Sequence, residues 1–199
     1  VIKIQVKNEK IRLRSQLLAQ RERFDPAEKA EIESKIFGYL RQLATYRYSD
    51  TVLLYSPIKG ELDVNKVARA ALSDGKRIAY PVTDPSSRTM RFYYVNSTDE
   101  LSTGTYGIPE PPAGSELFVE NVSVHAMCIV PALAFDYEGY RLGYGKGFYD
   151  RFLATFSGVK VGLIPAQFLF VRLPRGRYDV AVDVIITEDG VLAVGKGKN

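Results

Sequence analysis

Six short apolar runs, each closed by a proline, a glycine or a polar break, constrain this chain more than any other feature. They cover residues 51–55, 77–80, 90–95, 127–130, 160–164 and 182–187. Runs of that length, rich in β-branched and aromatic residues, read as strands. Helical stretches separate several of them. Strands alternating with helices imply an α/β fold with a mixed, largely parallel sheet. The expected arrangement is a single domain over residues 1–199. A helical segment of about 6–46 would pack on an α/β core of about 50–190.

The helical segment breaks at Phe24-Asp25-Pro26. Asp25 is a good N-cap and Pro26 suits the first helical position. The helix before the break spans about 6–23. Ile11, Leu17 and Leu18 recur on it at a helical spacing, and Lys7, Lys10, Arg14 and Arg21 fall near a second face. That basic face is either a local anion site or a solvated surface. The helix after the break runs from 26 to about 46, with Ile32, Ile36, Tyr39, Leu40 and Leu43 inward. A further helix over 64–72 stops at Asp74-Gly75. Pro81 is expected to end the strand before it. Residues 104–114 read as an ordered Gly/Pro loop, and the tail after Val194 as frayed.

Charge supports a local site better than a basic surface. Residues 1–47 carry 11 basic and 6 acidic side chains, while the rest of the chain sums to −1. Nucleic acid is therefore not the expected partner. No apolar run approaches the roughly 18 residues of a membrane helix, and the N-terminus lacks the apolar core of a secretory signal. A cytoplasmic, monomeric protein is the expectation. A single cysteine, Cys128, excludes an internal disulfide. The one histidine, His125, lies three residues from it. Three apart on a strand they would face opposite sides, so both are expected in or near the core rather than in a zinc site or a dyad.

The densest chemistry is Arg141-Leu-Gly-Tyr-Gly-Lys-Gly-Phe-Tyr-Asp-Arg151. Gly143, Gly145 and Gly147 alternate just before a helical stretch over 148–156. Glycines let the backbone approach a ligand, and free N–H groups at a helix start favour an anion such as phosphate. Lys146 adds a mobile positive charge. The spacing is neither a Walker loop nor a dinucleotide fingerprint. Ser56 to Glu61 follows a strand directly, where ligands of open α/β sheets bind. Asp150 and Asp183 are hard oxygen donors suited to magnesium. Tyr106 offers an aromatic face for a flat heterocycle.

Val130-Pro-Ala-Leu-Ala-Phe-Asp136, then Gly139, then the run from Arg141 to Arg151 resembles the signature of the 5-formyltetrahydrofolate cyclo-ligase family. Lys10-x-x-x-Arg14, Lys59-Gly-Glu61-Leu-Asp63, Gly107-Ile-Pro-Glu-Pro111, Gln167 and Tyr178-Asp-Val-Ala-Val-Asp183 agree in order and spacing. The resemblance implies an ATP- and magnesium-dependent closure of 5-formyltetrahydrofolate, with or without a polyglutamate tail, to 5,10-methenyltetrahydrofolate. It implies a three-layer α/β fold similar to the sugar-phosphate-isomerase and CoA-transferase type. Lys10, Arg14, Arg141, Gly143, Tyr144, Gly145, Lys146, Gly147, Phe148 and Tyr149 would contact nucleotide. Ser56, Glu61, Tyr106 and the stretch from Tyr144 to Phe148 would border the folate. Asp150 and Asp183 would hold magnesium, and Lys146 and Arg14 would act in catalysis. Position 144 is basic in some relatives and Tyr here, which speaks against a charge contact from that side chain. A sugar-phosphate isomerase would need no ATP, and a silent binding module would show no turnover.

Overall fold

The structure is a computed structural model, and it describes residues 2–58, 60–121 and 125–195. The helices are α1 (Ile2–Glu22), α2 (Pro26–Gln42), α3 (Ala44–Tyr48), α4 (Asn65–Ser73) and α5 (Phe148–Leu153). The strands are β1 (Thr51–Leu53), β2 (Arg77–Asp84), β3 (Thr89–Val95), β4 (Ser102–Thr103), β5 (Pro109–Glu110), β6 (Ala126–Val130), β7 (Ala134–Asp136), β8 (Arg141–Leu142), β9 (Val159–Leu163), β10 (Leu169–Phe170), β11 (Val184–Thr187) and β12 (Gly190–Ala193).

Seven strands form the main sheet in the order β12-β11-β9-β6-β1-β2-β3. The five inner strands are mutually parallel, and β12 and β3 close the two edges antiparallel. Inner strands of a parallel sheet are covered on both faces, which is why they read as continuous apolar runs. Alternate residues sort accordingly. Leu53, Cys128 and Val130 enter a core with Leu17 of α1 and Leu153 of α5. Val52, Leu54, Met127 and Ile129 enter a second core with Ile32, Ile36 and Leu40 of α2 and Val67 of α4.

The helix break falls where Asp25 and Pro26 put it. The Asp25 carboxylate accepts from the N–H groups of Ala27 and Glu28, both at 2.9 Å. The second helix, expected to reach about 46, is interrupted at Leu43, whose backbone is extended (ψ 133°). The turn lets α3 sink Tyr46 into the core, where its phenol donates to Asp74 at 2.8 Å. No glycine or proline marks that break.

Pro81 does not end its strand. β2 pairs with β3 through Pro81 opposite Phe92 and on to Asp84. β1 has already stopped, and the Thr83 N–H, on the same edge as Pro81, bonds a side chain instead of a strand. A proline on such a free edge costs no ladder bond.

α1 carries the main surprise. Its inward stripe is Lys10, Arg14, Leu17 and Arg21, while Ile11 and Leu18 are 50% and 40% exposed. Arg21 is buried and donates to the carbonyls of Ala132 (2.6 Å) and Leu133 (3.0 Å), with its guanidinium 5.1 Å from the Phe168 ring centre. The basic face thus divides: Lys7 is exposed, Lys10 and Arg14 are half-buried, and Arg21 is buried. Its last member bolts the helix to the loop after β6.

Cys128 is fully buried as expected, and burial pushes its thiol up to about 12. His125 corrects the expectation: it is exposed, one residue before β6 begins. Lys59 and the tail over 196–199 lie outside the described residues. Among the described residues no helix is long and apolar enough to cross a membrane.

Candidate active site

The parallel strands deliver their carboxyl ends to one side, where open α/β sheets bind ligands. A cavity of about 480 Å³ opens there. Tyr55 and Ser56 follow β1, Pro131 follows β6, and Pro81 and Thr83 belong to the far half of β2. The small sheet β10-β7-β8 carries the glycine loop to the same place. Its keystone is Asp136, fully buried, which accepts from the N–H groups of Glu138, Tyr140 and Leu173 and from Arg175, all at 3.0 Å. That residue closes the turn that aims Arg141 and the loop beyond it.

All the site residues expected from sequence line this cavity except Asp183. At one end stand Lys10, Arg14 and the loop from Gly143 to Gly147. Arg14 Nε donates to the Gly143 carbonyl at 2.7 Å. Burial lowers the Arg14 pKa, and the Asp179 carboxylate opposes the shift. Gly145 has φ +97°, and a Cβ there would stand 3.3 Å from the Arg14 guanidinium carbon. The backbone needs glycine at that position for both reasons. Lys146 lies over the Tyr106 ring, 5.1 Å from its centre.

Glu61 lies in the same cavity. It is buried and accepts from the Ile58 N–H at 3.0 Å and from the Tyr144 phenol at 2.7 Å. Burial raises its carboxyl above the ordinary value, against the pull of those two donors. Burial also raises the Tyr144 phenol, and Glu61 adds to that. Tyr144 thus meets Glu61 as a neutral donor, and its side chain makes no charge contact there. The Ser56 hydroxyl is already engaged, donating to the Pro109 carbonyl at 2.5 Å.

Two expected site residues have their side chains engaged by the protein itself. Arg141 is nearly enclosed and spends its guanidinium on Asp150 (2.8 Å) and on the Val180 carbonyl (3.0 Å). It braces the wall rather than offering a free cation. Asp183 precedes β11, at the amino end of a parallel strand, opposite the end that opens the cavity. Its carboxylate accepts from the Lys160 N–H at 2.8 Å and faces the Lys160 ammonium at 3.7 Å. The expected pair of Asp150 with Asp183 is therefore not brought together in the cavity.

Sequence reasoning missed Asp179 and Glu110 as members of the lining. Asp179 pairs with Lys10 and accepts from the Gly176 N–H. Both acids lie inside motifs already noted, but no spacing rule gives an acid in a loop its partner across the fold.

A family model described as the 5-formyltetrahydrofolate cyclo-ligase family matches residues 6–188. The chain belongs to that family. Among curated relatives, the 5-formyltetrahydrofolate cyclo-ligase of Escherichia coli (strain K12) is 32% identical over 148 residues, covering 71% of this chain and 79% of the relative. An NMR structure of the Aquifex aeolicus 5,10-methenyltetrahydrofolate synthetase matches with a TM-score of 0.82 and 36% identity, over 96% of this chain and 95% of that one. The 5,10-methenyltetrahydrofolate synthetase of Mycoplasma pneumoniae matches with a TM-score of 0.71 and 26% identity, over 90% and 99%. The α/β fold with its mixed sheet is that of the cyclo-ligase family.

Proposed function

We propose that the protein converts 5-formyltetrahydrofolate to 5,10-methenyltetrahydrofolate, using ATP and releasing ADP and phosphate. What supports this reading is a single cavity lined by a buried carboxylate, an aromatic ring, a glycine loop and four basic side chains, three of them (Lys10, Arg14 and Lys146) beside the loop. The carboxylate and ring suit a polar heterocycle. The loop and the cations suit a polyphosphate.

The chemistry needs no side-chain nucleophile. The formyl oxygen is a poor leaving group. Its attack on the γ-phosphorus breaks the bond to ADP and forms a phosphate ester on an N5 iminium carbon. The N10 lone pair then attacks that carbon, the N10 proton departs, and the C–O bond to phosphate breaks. Positioning and charge neutralisation dominate such a transfer. Lys10, Arg14 and Lys146 supply positive charge, and the loop amides supply donors. Glu61, held by Ile58 and Tyr144, orients the heterocycle.

Magnesium fits the donor set. Asp150 and Asp179 are carboxylates in the cavity lining. Magnesium takes one or two such ligands together with phosphate oxygens and water. When bound it would neutralise charge on the phosphate oxygens. Among the described residues no group of three or more His, Cys, Asp or Glu could hold a metal ion by itself.

The test is the absorbance of the methenyl product with 5-formyltetrahydrofolate, magnesium and ATP, and again with ATP omitted. An ATP-dependent rise is expected, much slower but still measurable in Lys146→Ala. A flat trace from folded protein would remove the reading, and full turnover in Lys146→Ala would remove that residue's role.

A further inference from the structure

We propose that Glu110 is a positioning residue: it holds Tyr106 over Lys146 and so fixes where the Lys146 ammonium stands in the cavity.

Glu110 is buried, and its two carboxylate oxygens bind two separate pieces of chain. Oε1 accepts from the N–H and the hydroxyl of Thr83, at 3.1 and 3.2 Å. Oε2 accepts from the N–H of Thr105 at 3.1 Å. The free edge of β2 is thereby stapled to the start of the turn that carries Tyr106. The Thr105 hydroxyl returns a bond to the Thr83 carbonyl at 3.3 Å. Gly104 leaves room for the staple, since a Cβ there would fall 2.3 Å from Glu110 Oε2. The far end of the turn is tied separately, by Ser56 to Pro109.

Between these ties Tyr106 is left-handed, with φ +60°. A non-glycine residue keeps such a backbone only where its surroundings over-determine it. Yet Tyr106 is 54% exposed, so no core packing does this. The turn's own backbone bonds (Gly104 N–H to the Ile108 carbonyl, Gly107 N–H to the Gly104 carbonyl and Ile108 N–H to the Thr105 carbonyl) and the ties at its two ends hold it. The ring they present meets the Lys146 ammonium at 5.1 Å, within cation–π range. Lys146 lies between Gly145 and Gly147, and among the described residues its ammonium makes no hydrogen bond or ion pair that would fix its direction.

The chain contains no tryptophan, so Tyr106→Trp gives a single reporter on the turn. In that background, and with no ligand added, Glu110→Gln is expected to raise acrylamide quenching and lower anisotropy toward the values of free tryptophan. Glutamine keeps an acceptor for Thr83 but turns a donor toward the Thr105 N–H. Gly104→Ala should reproduce the change by displacing the Glu110 carboxylate. Unchanged quenching and anisotropy in both variants would overturn the proposal.

A second arm rests on the cyclo-ligase reading. Glu110→Gln should lower kcat/KM by about tenfold or more, the loss of one hydrogen bond to a charged group. In a Lys146→Ala background it should lower it no further. Independent, multiplying losses would show that Glu110 acts on the fold and not through Lys146, and the proposal would fall. A protein with the fluorescence change but no turnover in any form would retain the positioning role and lose the reaction instead.

Discussion

The Tyr144 phenol donates to Glu61 Oε1 at 2.7 Å, joining residues 83 positions apart inside the cavity. The bond gives a buried carboxylate a donor without giving it a cation. Tyr144→Phe should therefore cost about 1.5–3 kcal/mol of stability, as expected for a hydrogen bond to a charged group. It should also raise the Glu61 pKa further, because the phenol is one of the donors holding it down. Chemical denaturation at neutral pH checks the first, and carboxyl-resolved NMR titration the second.

The same carboxylate sets a pH dependence. Burial raises the folded Glu61 pKa above the ordinary 4.5. The native state then holds the proton more tightly than the unfolded chain. Between 4.5 and the raised value the folded form binds more protons, so Glu61 makes stability fall as pH rises through that window, and the effect is flat above it. Glu61→Gln removes this contribution. Urea unfolding of both proteins from pH 4 to pH 8 should show the difference moving in favour of the variant as pH rises. A difference independent of pH would show that Glu61 is not raised.

Arg21 tests how α1 is attached. Its guanidinium satisfies the Ala132 and Leu133 carbonyls from a buried position. Arg21→Ala should cost about 2–4 kcal/mol, from the lost charged hydrogen bonds and the carbonyls left without a donor. Arg21→Lys should recover only part, since an ammonium lacks the planar fork. Equilibrium unfolding measures both, and equal stability of wild type and Arg21→Ala would contradict the geometry.

The sheet was legible because strands buried on both faces must be apolar throughout, and 127–130 or 51–55 can be little else. The glycine loop was legible because Gly143, Gly145 and Gly147 crowd around one lysine. The facing of α1 was not. Its stripe uses Lys10, Arg14 and Arg21 as inward residues, whose charges are answered by Asp179, Gly143, Ala132 and Leu133, more than 100 residues away. A hydrophobic periodicity rule assigns such side chains to water. The break at Leu43 escaped for a related reason: it is made by where Tyr46 and Asp74 meet, and not by a local breaker. Glu110 and Asp179 were visible as letters, but their roles exist only through Thr83, Thr105 and Lys10.

Gly145 joins backbone geometry to ligand affinity. With φ +97° and the Arg14 guanidinium 3.3 Å from any added Cβ, Gly145→Ala must shift both the loop and Arg14. The expected result is a fall in ATP affinity of about tenfold or more, with a stability loss of about 1–3 kcal/mol, the range for a strained backbone position. Isothermal titration with a non-hydrolysable ATP analogue and thermal unfolding separate the two. Unchanged affinity would mean that the loop does not carry the phosphates.

The two aspartates expected to share magnesium should behave differently. Asp150 lines the cavity beside the glycine loop, and its Oδ1 is held by Arg141 and by the Val180 N–H. Asp150→Asn keeps an acceptor for both donors but removes the charge, so the fold should survive. The magnesium concentration for half-maximal rate should rise by about tenfold or more, as a hard cation loses an anionic ligand. Asp183→Asn also keeps an acceptor for the Lys160 N–H, and it loses only a partly exposed ion pair at 3.7 Å. Such pairs contribute about 0–1 kcal/mol, and Asp183 stands at the amino end of its strand, away from the cavity. The magnesium dependence of Asp183→Asn should therefore match wild type. If it rose as far as that of Asp150→Asn, the segment from Asp179 to Asp183 would have to swing into the cavity when the phosphates bind. The ion pair between Lys10 and Asp179 would then be the contact that opens.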